Sequence, residues 1–206
     1  MRNLLILFLI LFPVMLQAQL LEHGNEAGTI SIGVRSSLSS FDNGGSNNTS
    51  VGAGGQFRIR LAERVNTDWF LDYSTGDLGD FAHREDLHIG WSVLFYLLKP
   101  SSAAALFQPY MLAGHCFDHT RQTAIVDPSN RAERWSSAVQ AGLGSHINVT
   151  DRSDISIVGQ YMIHLGTDLH ADAHDGEVAF VKSPGADLEG HLLLHISYNY
   201  KLFDAW

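Results

Sequence analysis

The sequence predicts an all-β fold, an eight-stranded antiparallel up-and-down transmembrane β-barrel. Three observations predict it. Apolar and polar residues alternate over segments long enough to cross a bilayer as tilted strands. Arginines, carboxylates and histidines collect on the face opposite the apolar one, and the connections alternate between short and long. Outside the first eighteen residues, no apolar stretch reaches the roughly 20 residues of a membrane helix, although 45% of the chain is hydrophobic.

Residues 1–18 read as an export signal: Arg2 gives a positive start, Leu4 to Leu16 form an almost unbroken apolar run, and Leu16-Gln17-Ala18 offers small-residue cleavage. The expected mature domain spans residues 19–206. The apolar run carries Pro13 and is too short to span as a helix. No cysteine follows it, so lipid anchoring has no support. Without the signal the chain has 12 basic and 22 acidic residues, a net charge of −10, which disfavours a nucleic-acid partner. Cys116 is the single cysteine, so no internal disulfide forms and stability rests on packing and hydrogen bonds.

The first segment, Thr29 to Leu38, sets Ile30, Ile32, Val34 and Leu38 against Ser31, Gly33, Arg35 and Ser37. The second, Ser50 to Ala62, sets Val51, Ala53, Phe57, Ile59 and Leu61 against Gly52, Gly54, Gln56, Arg58 and Arg60. Two arginines on one face do not suit an apolar core. The third, Thr67 to Thr75, opposes Trp69, Leu71 and Tyr73 to Asp68, Phe70, Asp72 and Ser74. The fourth, Glu85 to Leu97, opposes Leu87, Ile89, Trp91, Val93 and Phe95 to Asp86, His88, Gly90 and Ser92. In the fifth, Phe107 to Phe117, either Met111, Ala113 and His115 or Tyr110, Leu112 and Cys116 face outward; the first choice turns Gly114 inward and is preferred. The sixth opposes Trp135, Val139, Ala141, Leu143 and Ile147 to Gln140, Gly142, Gly144 and His146. The seventh opposes Ile155, Ile157, Tyr161, Ile163 and Leu165 to Ser156, Gln160 and His164. The eighth opposes Leu192, Leu194, Ile196, Tyr198, Tyr200 and Leu202 to His191, His195, Ser197, Asn199 and Lys201.

Glu63 to Asn66 and Thr150 to Asp154 read as tight turns and Lys99 to Leu106 as a modest one. Ser39 to Thr49, Gly76 to Arg84, Asp118 to Arg134 and Gly166 to Glu189 read as long loops. Short periplasmic turns and long extracellular loops are the pattern of outer-membrane barrels, with both termini on the periplasmic side. Aromatic residues fall near both interfaces: Trp69, Phe95, Phe107, Tyr200, Phe203 and Trp206 toward the turns, and Phe41, Tyr73, Phe117 and Trp135 toward the loops.

Parity alone does not say which face is inside; charge does. With the apolar face toward lipid, the interior receives Arg35, Arg58, Arg60, Asp72, Asp86, His88, Gln140, Gln160, His164, His195 and Lys201, which can pair. An eight-stranded barrel has room for little more than side chains. The expected lumen is therefore a plugged polar network, and closure satisfies backbone groups that hydrocarbon would leave unpaired.

These segments, the export signal, the stretch Pro109-Tyr110-Met111-Leu112-Ala113-Gly114 and the tyrosine-rich last segment together resemble the small outer-membrane β-barrel family related to the outer-membrane protein A transmembrane domain. The resemblance covers essentially the whole mature chain. It implies a bacterial outer-membrane location, contact with outer-membrane lipid, and recognition of the last strand by the barrel-assembly machinery through a terminal aromatic, here Trp206. Asp204-Ala205 departs from the apolar alternation just before it.

Other chemistry weighs less. His195-Ile196-Ser197 resembles the His-x-Ser of lipid A deacylases, but Tyr198 stands where those enzymes carry asparagine, and both residues share the inward parity. His170, Asp172, His174 and Asp175 have metal-ligand chemistry in a stretch read as a solvated acidic loop, so no metal or other cofactor is expected. His88, His146, His164 and His195 titrate near neutral pH if hydrated, yet lumen filling explains them more simply. Gly52-Ala53-Gly54-Gly55 lies inside a strand with no helix after it, so it is no phosphate loop. The expected function is non-enzymatic: a structural barrel that meets an extracellular ligand through its long loops. The alternatives are a lipid-modifying hydrolase, a narrow porin and a periplasmic ligand-binding barrel.

Overall fold

The structure, a computed structural model, describes residues 27–41, 49–98, 106–166, 168–174, 177–183 and 190–205. The export signal at residues 1–18, residues 42–48 and 99–105 of the expected connections, Asp175 and Trp206 lie outside the described residues.

Eight strands close one barrel: β1 (Thr29–Phe41), β2 (Thr49–Ala62), β3 (Val65–Leu78), β4 (Ala82–Tyr96), β5 (Phe107–Ala124), β6 (Arg131–Thr150), β7 (Ser153–Leu165) and β10 (Gly190–Asp204). Two more, β8 (Asp168–His174) and β9 (Glu177–Ser183), pair only with each other. Every pairing is antiparallel, and β10 returns to β1 from Thr29↔Asp204 to Phe41↔His191, so the barrel has no free edge. The register shifts at Ile30/Ser31, Arg60/Ala62 and Asn148/Thr150 all lie near the turn end.

The orientation follows from exposure. Val34 is 67% exposed and Leu194 47%, whereas Arg58 is 3% exposed. The greasy face is outside on every strand, with Leu71, Leu143, Ile157 and Tyr198 among its members, and the fifth segment follows the preferred parity: Met111 is exposed while Tyr110, Leu112 and Cys116 are buried. A continuous exposed apolar wall of this kind demands an apolar solvent.

Three expectations need correcting. Gly76–Arg84 and Asp118–Arg134 are mostly strand, because β3 to β6 run on past the girdle and leave only residues 79–81 and 125–130 as connections. Gly79, at φ 60°, adopts the left-handed geometry that makes the first of these turns possible. In the second, the Ser129 hydroxyl and amide donate to Asp127 and hold its carboxyl below the usual carboxylate range. Gly166–Glu189, read as loop, contains the β8–β9 hairpin. It docks on the barrel where Gln122 Nε2 donates to the Leu169 carbonyl at 3.1 Å and Asn130 Nδ2 to that of Val178 at 2.6 Å. Finally, the lumen is not uniformly polar: Phe70, Cys116, Ala138, Met162 and Leu193 form one buried apolar layer, and Leu94, Tyr96, Tyr110 and Leu112 another.

Candidate functional site: the filled lumen

The side chains that alternation turns inward meet in layers. Nearest the turn end, Arg58 donates from Nη1 to Asp154 at 3.1 Å and from Nη2 to the Ser156 hydroxyl at 2.8 Å, with Asp68 3.8 Å from its Nε. His146 lies between Ser156 (Nδ1 to Oγ 2.6 Å) and Tyr96 (Nε2 to OH 2.9 Å), and Asn66 donates to the same phenol at 3.0 Å. Arg60 stacks over the Tyr96 ring at 4.4 Å. Tyr110 crosses the lumen above Gly144, where an added Cβ would stand 2.6 Å from the ring, so the bare backbone there makes room for the phenol. Lys201 is only half-buried, at the turn-end mouth, where Thr29, Arg60, Asn148 and Lys201 help to line a space of about 20 Å3. That holds about one water.

The middle of the lumen is held by amides and by the ion pairs of Arg35 with Asp72 and Asp68. Gln160 donates to Gln140 at 2.8 Å, and Gln140 to the Ser92 hydroxyl at 2.8 Å. Arg35 pairs with Asp72 at 3.1 Å and covers the Phe70 ring at 4.7 Å. Gln56 donates to Ser197 at 3.2 Å and also to Asn199, which donates to Asp154 at 2.9 Å.

Toward the loop end, Asp118 sits between two imidazoles, His88 Nε2 at 3.1 Å and His164 Nδ1 at 3.2 Å. The His191 ring packs 4.9 Å from His164 and 5.8 Å from His88, centre to centre. The Thr120 hydroxyl bridges Asp118 and Asp86, and Arg84 Nε reaches Asp86 at 2.9 Å. Among the described residues, no group of three histidines, cysteines or carboxylates is arranged to hold a metal ion. His170, Asp172 and His174 lie on β8, the last two exposed.

Of the eleven residues expected in the polar network, Arg35, Arg58, Arg60, Asp72, Asp86, His88, Gln140, Gln160, His164 and His195 are buried in the lumen, and Lys201 stands at its mouth. Sequence reasoning did not name Arg84, Asp118, Arg134 or Asp154, because each fell in or at the edge of a stretch read as loop or turn. Continuing the period-two count past the girdle finds them. His195 and Ser197 do not form a nucleophile–base pair: His195 Nδ1 donates to the Ser36 carbonyl at 3.3 Å, while the Ser197 hydroxyl receives Gln56 and Asn199.

A closed barrel with an apolar exterior, a polar-lined interior and an even strand count is the architecture of the bacterial outer membrane, and this chain has the fold of an outer-membrane β-barrel. Solved structures share the fold. Neisserial surface protein A is 11% identical with a TM-score of 0.54, the match covering 84% of this chain and 96% of that one. The outer membrane protein OprG from Pseudomonas aeruginosa is 15% identical with a TM-score of 0.54, covering 88% and 98%. A major outer membrane protein from Thermus thermophilus is 9% identical with a TM-score of 0.55, covering 84% and 99%. No protein-family model and no curated protein sequence matches the chain.

Proposed function

We propose that this chain is a non-enzymatic outer-membrane barrel, a rigid wall whose loop-end extensions carry recognition of an extracellular ligand. On this reading residues 1–18 direct export and are removed, the barrel-assembly machinery takes up the chain through its C-terminal strand β10, and outer-membrane lipid surrounds the girdle. The observation that carries the proposal is the filled lumen. Side chains from all eight barrel strands meet across it in hydrogen-bonded and apolar layers, and the turn-end mouth has space for about one water, 20 Å3. A wall packed in this way transmits no solute stream, which leaves the strands that overhang the girdle and the docked hairpin as the surfaces available for a partner.

Planar-bilayer recording tests this against a narrow porin. Purified, heat-modifiable protein inserted into the bilayer is expected to give no steady current. A stable conductance of nanosiemens size contradicts the plugged lumen and replaces the proposal with a porin.

A further inference from the structure

On the outer wall of β3 to β6, polar side chains descend from the loop end into the apolar girdle. Arg121 donates to Glu133 at 2.8 Å and lies 3.6 Å from Glu85, and the Tyr73 phenol donates to Glu85 at 2.5 Å. His119 reaches Glu133 at 3.5 Å and stacks 4.7 Å from the Trp135 ring. Tyr73, Glu85, Asp86, Leu87, His119 and Arg121 line a recess of about 150 Å3. One step deeper, His115 and Ser137 meet at 2.6 Å on the lipid-facing side, next to Phe117.

Stability does not account for this arrangement. Exposed ion pairs contribute little, and the single hydrogen bond between His115 and Ser137 leaves further donor and acceptor capacity on both groups, which costs free energy against hydrocarbon unless something polar meets it. Tyr73, Phe117 and Trp135 mark the level of the lipid headgroups, so the recess lies where a headgroup lies. Glu85 and Glu133 already engage the Arg121 guanidinium from two sides, which leaves it little to offer a phosphate. Carboxylate acceptors, guanidinium donors and the exposed rings of Tyr73 and Trp135 instead match the hydroxyls and C–H faces of a sugar. His115 and Ser137 stand at the depth of the linker that joins such a headgroup to its acyl chains. Among the described residues no carboxylate orients His115, so the pair is a contact and not a nucleophile with its base.

The geometry points to a binding site on the outer wall of β3 to β6 for an uncharged, sugar-bearing headgroup of an outer-leaflet lipid. It rests on the proposed contact of this wall with lipid and is independent of whether the lumen conducts.

The test is lipid retention. The full chain is reconstituted in phosphatidylcholine vesicles containing dihexosyl diacylglycerol, phosphatidylglycerol, or both, then released into mild detergent, and bound lipid is read by native mass spectrometry. Dihexosyl diacylglycerol is expected to stay bound in preference to phosphatidylglycerol. Glu133→Gln with Trp135→Leu is expected to reduce that preference about tenfold, the equivalent of losing a hydrogen bond and a ring contact. Glu133→Gln alone, which leaves the interfacial ring in place, gives a smaller reduction and keeps the test if the double variant does not fold. Equal retention of the two lipids, retention of phosphatidylglycerol in preference, or variants that bind as the parent does would each overturn the site. Soluble maltose competing as well as the lipid would overturn its lipid-borne character. Heat-modifiable gel mobility is read on every sample. Inserted protein without preference removes this inference alone, whereas failure to insert removes the outer-membrane reading itself.

Discussion

Arg58 illustrates why single residues weigh heavily inside so narrow a barrel. Its guanidinium meets Asp154, Ser156 and Asp68, and each carboxylate oxygen left without it would remain shut in the lumen. Arg58→Met is expected to destabilise the barrel by about 3 to 5 kcal/mol, the range for breaking one side of a buried ion pair. Urea unfolding in lipid vesicles measures it. Adding Asp154→Asn should recover part of the loss, since the stranded charge disappears; a single variant as stable as the parent would show that water, not Arg58, satisfies Asp154.

At the scale of elements, the strands do two jobs along one length. Their girdle portions present the apolar outer face, and their overhangs carry the last lumen residues, such as Thr120, Gln122 and Arg134, together with the attachment of the β8–β9 hairpin. Gln122 is almost fully buried and fixes Leu169 through the carbonyl of that residue, while Asn130 holds Val178. Gln122→Ala is expected to speed amide exchange across residues 168–174 and 177–183 by roughly 2- to 10-fold, the equivalent of one net hydrogen bond, without changing exchange in the barrel strands. Exchange rates in the hairpin that do not move would mean that it is held by other contacts.

The whole molecule is a cylinder turned inside out relative to a soluble β-protein, and the membrane sets the energetic scale. Ile196, near the middle of β10, is 58% exposed on the apolar outer face. Ile196→Lys is expected to destabilise the folded barrel by about 2 to 4 kcal/mol, whereas the same change at Leu202, near the turn end, should cost about 0 to 1 kcal/mol. Reversible unfolding from vesicles gives both values. Equal costs at the two depths would contradict the placement of the girdle.

Much of this was legible without coordinates because a strand's side chains alternate strictly: once one residue of Ser50–Ala62 is assigned a face, the rest follow, and Arg58 with Arg60 reveals which face is shielded from lipid. The eight barrel strands, their direction, the apolar exterior and most of the lumen set are consequences of that local periodicity. Strand ends are not local. The polar stretches around Arg84, Asp118 and Arg134 have loop composition, and only pairing with neighbouring strands, His88↔Asp118 and Thr120↔Arg134 among them, makes them sheet. Contacts across the lumen are equally non-local. That Asp118 stands between His88 and His164, that Arg58 finds Asp154, and that Glu85, Arg121 and Glu133 gather on one outer wall depend on strands distant in sequence being brought side by side at a particular stagger. Periodicity within a segment is set by backbone geometry and is written in the chain itself. Stagger between segments is set by closure of the whole ring, so only the folded barrel decides it.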